Sequence, residues 1–416
     1  MQPNPNSSYS VGPFSVISGE HAVAEWLPDD KNGYYVSIEN NEVIKSDVLN
    51  IGDVKISPDP AFVRLVRAGI IGSPTSVNLD IEFEPLYNRI VAYLRRTLWF
   101  VEDFDYYAVA SYIIMTWGFQ AFDCVPYLRF SGDFGTGKTT ALRAVAALAF
   151  RSVATAGALT SAPIYRLAGK VKGTYLFDEA DFRATGKEAD IVKILNCGYS
   201  KGTPILRLGS NYEPLLFDVF GPKVISSRES FDDAALESRF ITIEMRARNH
   251  VIEPLANPDL QSEATEIRNG CLAYRLNNSI VPKPEDEAVF IKEFQDNRFE
   301  PRLVQIGLPL MHSTPDEHRD KIVEFLLGVK LKYRCLRSES ILAQILRAYI
   351  ECTEVVCKIS DVRKELNKDV GKKYSLKALA GLAVKMGFEK FHTRKGAAIR
   401  APSDEWTNQM RKLYYV

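Results

Sequence analysis

One run of residues has the types and spacing to hold phosphate. Gly132-Asp133-Phe134-Gly135-Thr136-Gly137-Lys138-Thr139 fits G-x-x-x-x-G-K-[ST] at every fixed position. The glycines let backbone N–H groups turn inward around phosphate oxygens. Lys138 sets a compact cation against β- and γ-phosphates, and Thr139 offers its hydroxyl to Mg²⁺. Gly132, Gly135, Thr136, Gly137, Lys138, Thr139 and Thr140 are therefore the expected nucleotide-binding residues. The metal also needs a carboxylate. Thr174-Tyr175-Leu176-Phe177-Asp178-Glu179 delivers Asp178 at the C-terminal end of an apolar strand, where open α/β sheets place their ligands. Asp178 is expected to hold the metal with Thr139, and Glu179 to polarise the attacking water.

These groups need elements to position them. An apolar strand, Tyr127–Phe130, precedes the loop, and an Ala-rich helix, Thr139–Phe150, follows it. The N-terminus of that helix carries partial positive charge toward the phosphates. From there to about Met245, strands and helices alternate, which predicts an α/β fold with a parallel sheet. Upstream, Tyr34–Ile38 and Val43–Asp47 flank Glu39-Asn40-Asn41-Glu42 and read as a hairpin. Leu86, Ile90, Tyr93, Leu94 and Leu98 repeat at helical spacing. The expected organisation is a small β-rich region over 1–83, a helical lead-in over 84–125 and an ATPase core over 126–248. A helical lid or linker over 249–334 and a separate domain over 335–416 follow.

Composition sets bounds on the class. A chain of 416 residues is too long for one simple domain, and 46% hydrophobic with 25% charged residues excludes disorder as the main state. Lys+Arg equals Asp+Glu, 52 against 52, but the charge is segregated. Residues 1–60 carry 3 basic and 9 acidic side chains, whereas residues 371–416 carry 10 basic and 3 acidic. The basic end points toward nucleic acid. No signal peptide is visible in the polar start, so a cytoplasmic location is expected. The 17 uncharged residues Tyr106–Phe122 are short for a span and carry Ser111, Thr116 and Gln120, which predicts a buried helix and no membrane partner. The six cysteines form no CxxC pair and read as reduced thiols, with no zinc site expected.

Taken together, these motifs resemble AAA+ ATPases, because the acidic pair Asp178-Glu179 is followed by further landmarks in the family's order. Lys223-Val-Ile-Ser-Ser227 resembles the fourth core strand ending in the polar sensor 1 residue, Ser226 or Ser227, with Ser227 the expected γ-phosphate sensor. That position is commonly Asn or Thr in the family. Ala235-Leu-Glu-Ser-Arg239-Phe resembles the arginine-finger segment of minichromosome maintenance helicases, and Pro301-Arg302-Leu-Val-Gln305 their sensor 2 helix, with Arg268 a rival. Thr203–Phe220 resembles the DNA-contacting hairpin of superfamily III and minichromosome maintenance helicases, where Lys201, Arg207 and Tyr212 would grip DNA. The closest likeness is to replicative helicases and initiators of phages, plasmids and mobile elements, over about residues 126–402. It implies ATP and Mg²⁺ as cofactors. It also implies single-stranded or forked DNA as substrate, and a homohexamer in which Arg239 acts on a neighbour's nucleotide.

The basic C-terminal region reads as a winged helix. Three helices are expected, over Ser338–Ile350, from Ser360, and over Ser375–Met386. Two strands, Phe388–Thr393 and Ala397–Ala401, would flank a basic turn. Lys372, Lys373, Lys377 and Lys385 would lie at the third helix, with Arg394 and Lys395 at the wing tip, all facing DNA phosphates.

The leading expectation is an ATP-dependent DNA helicase or translocase. The alternatives keep the ATPase: a loader or remodeller acting on another protein, with replication proteins as partners, or an ATP-switched DNA-binding initiator. Without zinc-ligand spacing or a carboxylate triad before the core, no primase activity is indicated.

Overall fold

A computed structural model describes residues 9–11, 15–18, 21–29, 33–51, 54–56, 60–80, 82–155, 167–168, 171–178, 188–208, 212–228, 230–231, 233–247, 251–277, 281–352, 356–366, 375–393 and 396–414. The chain divides into two units, residues 1–326 and 327–416.

The first unit begins with an antiparallel meander of β1 (Tyr9–Val11), β2 (Ser15–Ser18), β3 (His21–Leu27), β4 (Tyr34–Glu39) and β5 (Glu42–Ser46). Asn40 and Asn41 adopt φ of 49° and 64°, the left-handed pair that a two-residue hairpin turn requires. Two short strands, β6 (Leu49–Ile51) and β7 (Val54–Ile56), and a helix, α1 (Pro60–Arg67), follow. Helix α2 (Phe83–Thr97) turns Leu86, Ile90, Val91 and Leu94 into the core. Helix α3 (Asp103–Gly118) is buried from Ala108 to Trp117, which accounts for its uncharged run. Among the described residues, no helix is long and apolar enough to cross a membrane.

The next elements are β8 (Tyr127–Ser131), α4 (Lys138–Leu148), β9 (Val153–Thr155), β10 (Tyr175–Phe177) and α5 (Glu188–Cys197). A two-stranded hairpin of β11 (Ile205–Leu208) and β12 (Pro214–Phe217) comes next, then β13 (Lys223–Ser227), α6 (Ala234–Glu237) and β14 (Phe240–Glu244). The order β14-β8-β13-β10-β9 forms a five-stranded sheet whose pairings are all parallel. Parallel strands are covered on both faces, so they read as apolar runs. The consequence for the site is an ordering: β13 lies between β8, which feeds the phosphate loop, and β10, which delivers Asp178.

Four helices complete this unit: α7 (Pro258–Leu276), α8 (Pro284–Asp296), α9 (Pro301–His312) and the first part of α10 (Arg319–Glu339). Asn257 caps α7 by accepting from the Asp259 N–H. Buried Glu25 of β3 pairs with Arg151, before β9, and with Arg275 of α7, so the N-terminal sheet is tied to the core by ion pairs. Burying one carboxylate between two guanidinium groups satisfies all three in a place water does not reach.

In the second unit α11 (Ile341–Ile350), β15 (Cys357–Lys358), α12 (Ile359–Leu366), α13 (Leu376–Met386), β16 (Glu389–Thr393), β17 (Gly396–Arg400) and α14 (Asp404–Tyr414) enclose a core of Ile345, Leu346, Val362, Leu379, Phe388 and Ile399. The sheet is antiparallel, ordered β15-β17-β16. The helix expected from Ser338 starts one turn later. Ser340 caps it by accepting from Ala343 N–H, and Ser338 belongs to α10. Ser375 caps α13 in the same way, and Gly387 ends it at φ 108°, against the Trp406 indole.

Candidate active site

Strand β8 ends at Ser131, and the chain turns directly through Gly132 into the loop. A Cβ on Gly132 would stand 2.3 Å from the Met245 carbonyl, so only glycine lets the loop pass the end of β14. Gly135 and Gly137 adopt φ of 78° and 91°, and Gly137 caps α4. Lys138 Nζ donates to the Gly132 and Asp133 carbonyls at 2.7 and 2.6 Å, which holds the ammonium over the loop. Thr136 Oγ1 donates to Asp133 O at 2.8 Å and stiffens the turn. Thr140 is half-buried in the first turn of α4. Phe134, at the loop's tip, is 86% exposed.

Asp178 follows β10, and its Oδ1 accepts from Thr139 Oγ1 at 3.1 Å and from Ser226 Oγ at 2.7 Å. Sheet register explains the meeting. Phe177 pairs with Ile225, and Ser226 pairs with Phe130, so all three strand ends are level. A carboxylate beside a threonine hydroxyl and a lysine, at the N-terminus of a helix, fits a hard cation with phosphate oxygens. Of the two serines considered, Ser226 is the one within hydrogen-bonding distance of Asp178. Ser227 is its buried neighbour, paired with Ser131. Glu179 lies outside the described residues. Among the described residues, no group of three or more His, Cys, Asp or Glu side chains gathers as a metal site.

Arg239 is not at this edge. It precedes β14, where Phe240 pairs with Tyr127 at the start of β8, and its carbonyl accepts from Tyr127 N–H at 3.0 Å. The phosphate loop leaves the other end of β8. Five residues of strand separate the two, about 16 Å at the usual rise. Arg239 Nη1 donates to the Asn196 carbonyl at 3.2 Å and to the Asn196 side chain, and its guanidinium lies 5.4 Å from the Tyr199 ring centroid. Arg302 reaches the same ring, at 5.2 Å, and donates to Gln305 Oε1 at 2.8 Å. Arg268 sits elsewhere, donating to Ala147 O, Ser73 O and Thr265 Oγ1. Asn196 and Tyr199 were not singled out in the sequence, where nothing marks them as partners of arginines so distant along the chain.

At the root of the hairpin, Lys223 is fully buried. Its ammonium donates to the carbonyls of Val219 and Gly221 at 2.8 and 2.9 Å, and stands 3.5 Å from that of Gly198. Burial pushes its pKa down from 10.5 to about 7. Lys201 stands 3.8 Å from Asp123. Arg207 is half-buried, and Tyr212 is 84% exposed at φ 60°. The hairpin turn itself, 209–211, is outside the described residues. Its outward face is apolar: Leu206, Leu208 and Leu216 are each at least 60% exposed. In the second unit Lys377 and Lys385 are exposed on α13, whereas Lys372, Lys373, Arg394 and Lys395 lie outside the described residues.

The first unit is thus a mixed α/β protein with a parallel sheet, consistent with a phosphate-loop nucleotide-binding core. No family model matches the chain. No curated protein matches it either. Among solved structures it is similar to the apo C-terminal region of NrS-1, at 13% identity and a TM-score of 0.40, over 91% of this chain and 96% of that one. A full-length MCM homolog from Methanopyrus kandleri is similar at 12% identity and a TM-score of 0.40, over 74% and 73% of the two chains. The JCV helicase is similar at 14% identity and a TM-score of 0.26, over 62% and 64%.

Proposed function

We propose that the chain is an ATP-hydrolysing motor of the AAA+ kind that acts on DNA as a helicase or translocase in replication of a mobile element. One observation carries the reading. Lys138, Thr139, Asp178 and Ser226 converge at the C-terminal edge of the sheet, whereas Arg239 and Arg302 gather at Tyr199 on the opposite edge. A site for phosphoryl transfer needs cations on the charge that develops, and an arginine supplied by a neighbour is a usual solution. Arg239 cannot span its own sheet to the phosphates, so a second copy completes the site, and a closed ring, a hexamer, satisfies every copy at once. Gly132, Gly135, Thr136, Gly137 and Thr140 shape the phosphate cradle, with Lys138 on the phosphates. Thr139 and Asp178 would hold Mg²⁺, which neutralises phosphate charge when bound. Glu179 orients water, and Ser226 or Ser227 reads the γ-phosphate.

DNA would be engaged by the hairpin, through Arg207 and Tyr212 with Lys201 at its root, and by the second unit. There, helices α11, α12 and α13 with a three-stranded antiparallel sheet support a winged helix, which α14 follows. Its phosphate contacts would come from Lys372, Lys373, Lys377, Lys385, Arg394 and Lys395. A second reading, a loader or remodeller with a protein target, is favoured by the leucines on the outward face of the hairpin.

The test is strand displacement on a forked duplex with ATP and Mg²⁺, with Lys138→Ala as control. Displacement lost in the variant supports the motor. ATP hydrolysis without displacement removes the helicase reading and leaves the loader.

A further inference from the structure

A cleft of about 580 Å³ opens in the first unit beside the C-terminal half of α4. It is not the phosphate site. Ala147, in its wall, lies nine residues along α4 from Lys138, roughly 13 Å at the helical rise. Ser152, also in the wall, precedes β9 at the sheet edge away from Asp178, and its carbonyl accepts from Gly72 N–H at 3.2 Å. The volume falls in the range of small-molecule sites, about 300–1,000 Å³.

The charge of the wall is one-sided. Arg143 and Arg268 line the cleft, and among the described residues no lining side chain is a carboxylate. Arg268 is mostly buried, and its partners, Ser73 O, Ala147 O and Thr265 Oγ1, are all neutral. Three of its five N–H groups are therefore engaged, and among the described lining residues the charge has no counter-ion. Burial lowers the Arg268 pKa, as the cost of an uncompensated cation requires. Arg143 is exposed on α4 and makes no ion pair among the described residues. The rest of the described wall is largely apolar and includes Ile70, Leu255 and Tyr93. Burial pushes the Tyr93 hydroxyl up to about 12, so it stays a neutral donor.

We propose that this cleft binds a small organic anion, a carboxylate, sulfonate or phosphate on an apolar body. Arg143 and Arg268 take the anionic group, and Ile70, Leu255 and Tyr93 take the body. The site is separate from the nucleotide phosphates and shares only α4 with them.

The probe is 8-anilino-1-naphthalenesulfonate, titrated into the full chain with and without saturating ATP and Mg²⁺. The expected result is one saturable site per chain, unchanged by ATP. Uncharged N-phenyl-1-naphthylamine should bind at least about tenfold more weakly, since it lacks the charge-assisted contacts. Arg143→Glu, at an exposed position, should raise the dissociation constant by about tenfold or more with an unchanged thermal melt. Ala147→Phe, which fills the cleft, should do the same. Leu206→Ser with Leu216→Ser removes the exposed hairpin patch and should leave binding intact. Binding that ignores both cleft variants, that ATP displaces, or that disappears with the hairpin leucines overturns the proposal.

Discussion

Arg239 and Arg302 place their guanidinium groups against one ring, that of Tyr199, at 5.4 and 5.2 Å from its centroid. The two come from different elements, the segment before β14 and helix α9, and they meet on the side of the sheet away from Lys138. Such convergence of cations on one aromatic side chain holds both groups in place without neutralising either.

The first prediction follows from that placement. Lys138→Ala and Arg239→Ala chains should each lose ATP hydrolysis, by about 10³-fold or more for an arginine finger. Equimolar mixtures should regain about a quarter of the wild-type rate, because random neighbours in a closed ring complete that share of sites. The steady-state ATPase rate of the mixture decides it. No recovery means that Arg239 acts within its own chain or supports the fold alone.

Ser226 gives the second. Its hydroxyl donates to the same Asp178 oxygen that accepts from Thr139, so it fixes the carboxylate that would hold the metal. Removing such an outer partner typically costs about 10–100-fold in metal affinity or activity. Ser226→Ala should therefore raise the Mg²⁺ concentration for half-maximal hydrolysis by that factor, with a smaller effect from Ser227→Ala. Equal Mg²⁺ curves for wild type and Ser226→Ala would show that Asp178 is oriented by other groups.

How far the sequence could be read depended on how local each signal was. The phosphate loop, its helix, the Asn40-Asn41 turn and the Ser375 cap were legible because each rests on neighbours in the chain. Which of Ser226 and Ser227 meets Asp178 was not. It depends on register between β13 and β10, which are paired across a long connection. Likewise the third strand, Cys357–Lys358, is too short for a periodic signal and exists only through its pairing with β17. The apolar face formed by Leu206, Leu208 and Leu216 was not legible either, because apolar residues in a strand ordinarily signal burial and only the fold shows these three exposed.

Lys223 supplies a pH dependence with a definite sign. Its pKa falls from 10.5 to about 7 through burial, so between those values the unfolded chain holds a proton that the folded chain does not. Stability therefore rises with pH through that window, and the cost of burying the ammonium is fully present below about pH 7. Lys223→Met removes this dependence. The stability of the variant relative to wild type should be most favourable at pH 6.5 and decline toward pH 9.5, by up to about 1.4 kcal/mol per pH unit. Urea unfolding of both chains across that range measures it. A difference that stays flat would mean the ammonium titrates normally.

The second unit offers a test that separates DNA binding from protein docking. Lys377 and Lys385 are both exposed on α13, where neither is needed for the core of Leu379, Ala383 and Met386. If they contact phosphates, each contributes counterion release, a term proportional to the number of phosphates neutralised and indifferent to sequence. The double variant Lys377→Ala, Lys385→Ala should then flatten the plot of log K against log salt by about 1.8 on duplex DNA, the sum of roughly 0.9 for each contact. Affinity should fall alike on unrelated sequences, because phosphate contacts position the protein without reading bases. Fluorescence anisotropy at several salt concentrations gives the slope. An unchanged slope with unchanged melting would assign these lysines to a solvated face. The basic character of residues 371–416 would then serve a different surface, and the leucine-faced hairpin of the first unit would become the stronger candidate for engaging a partner.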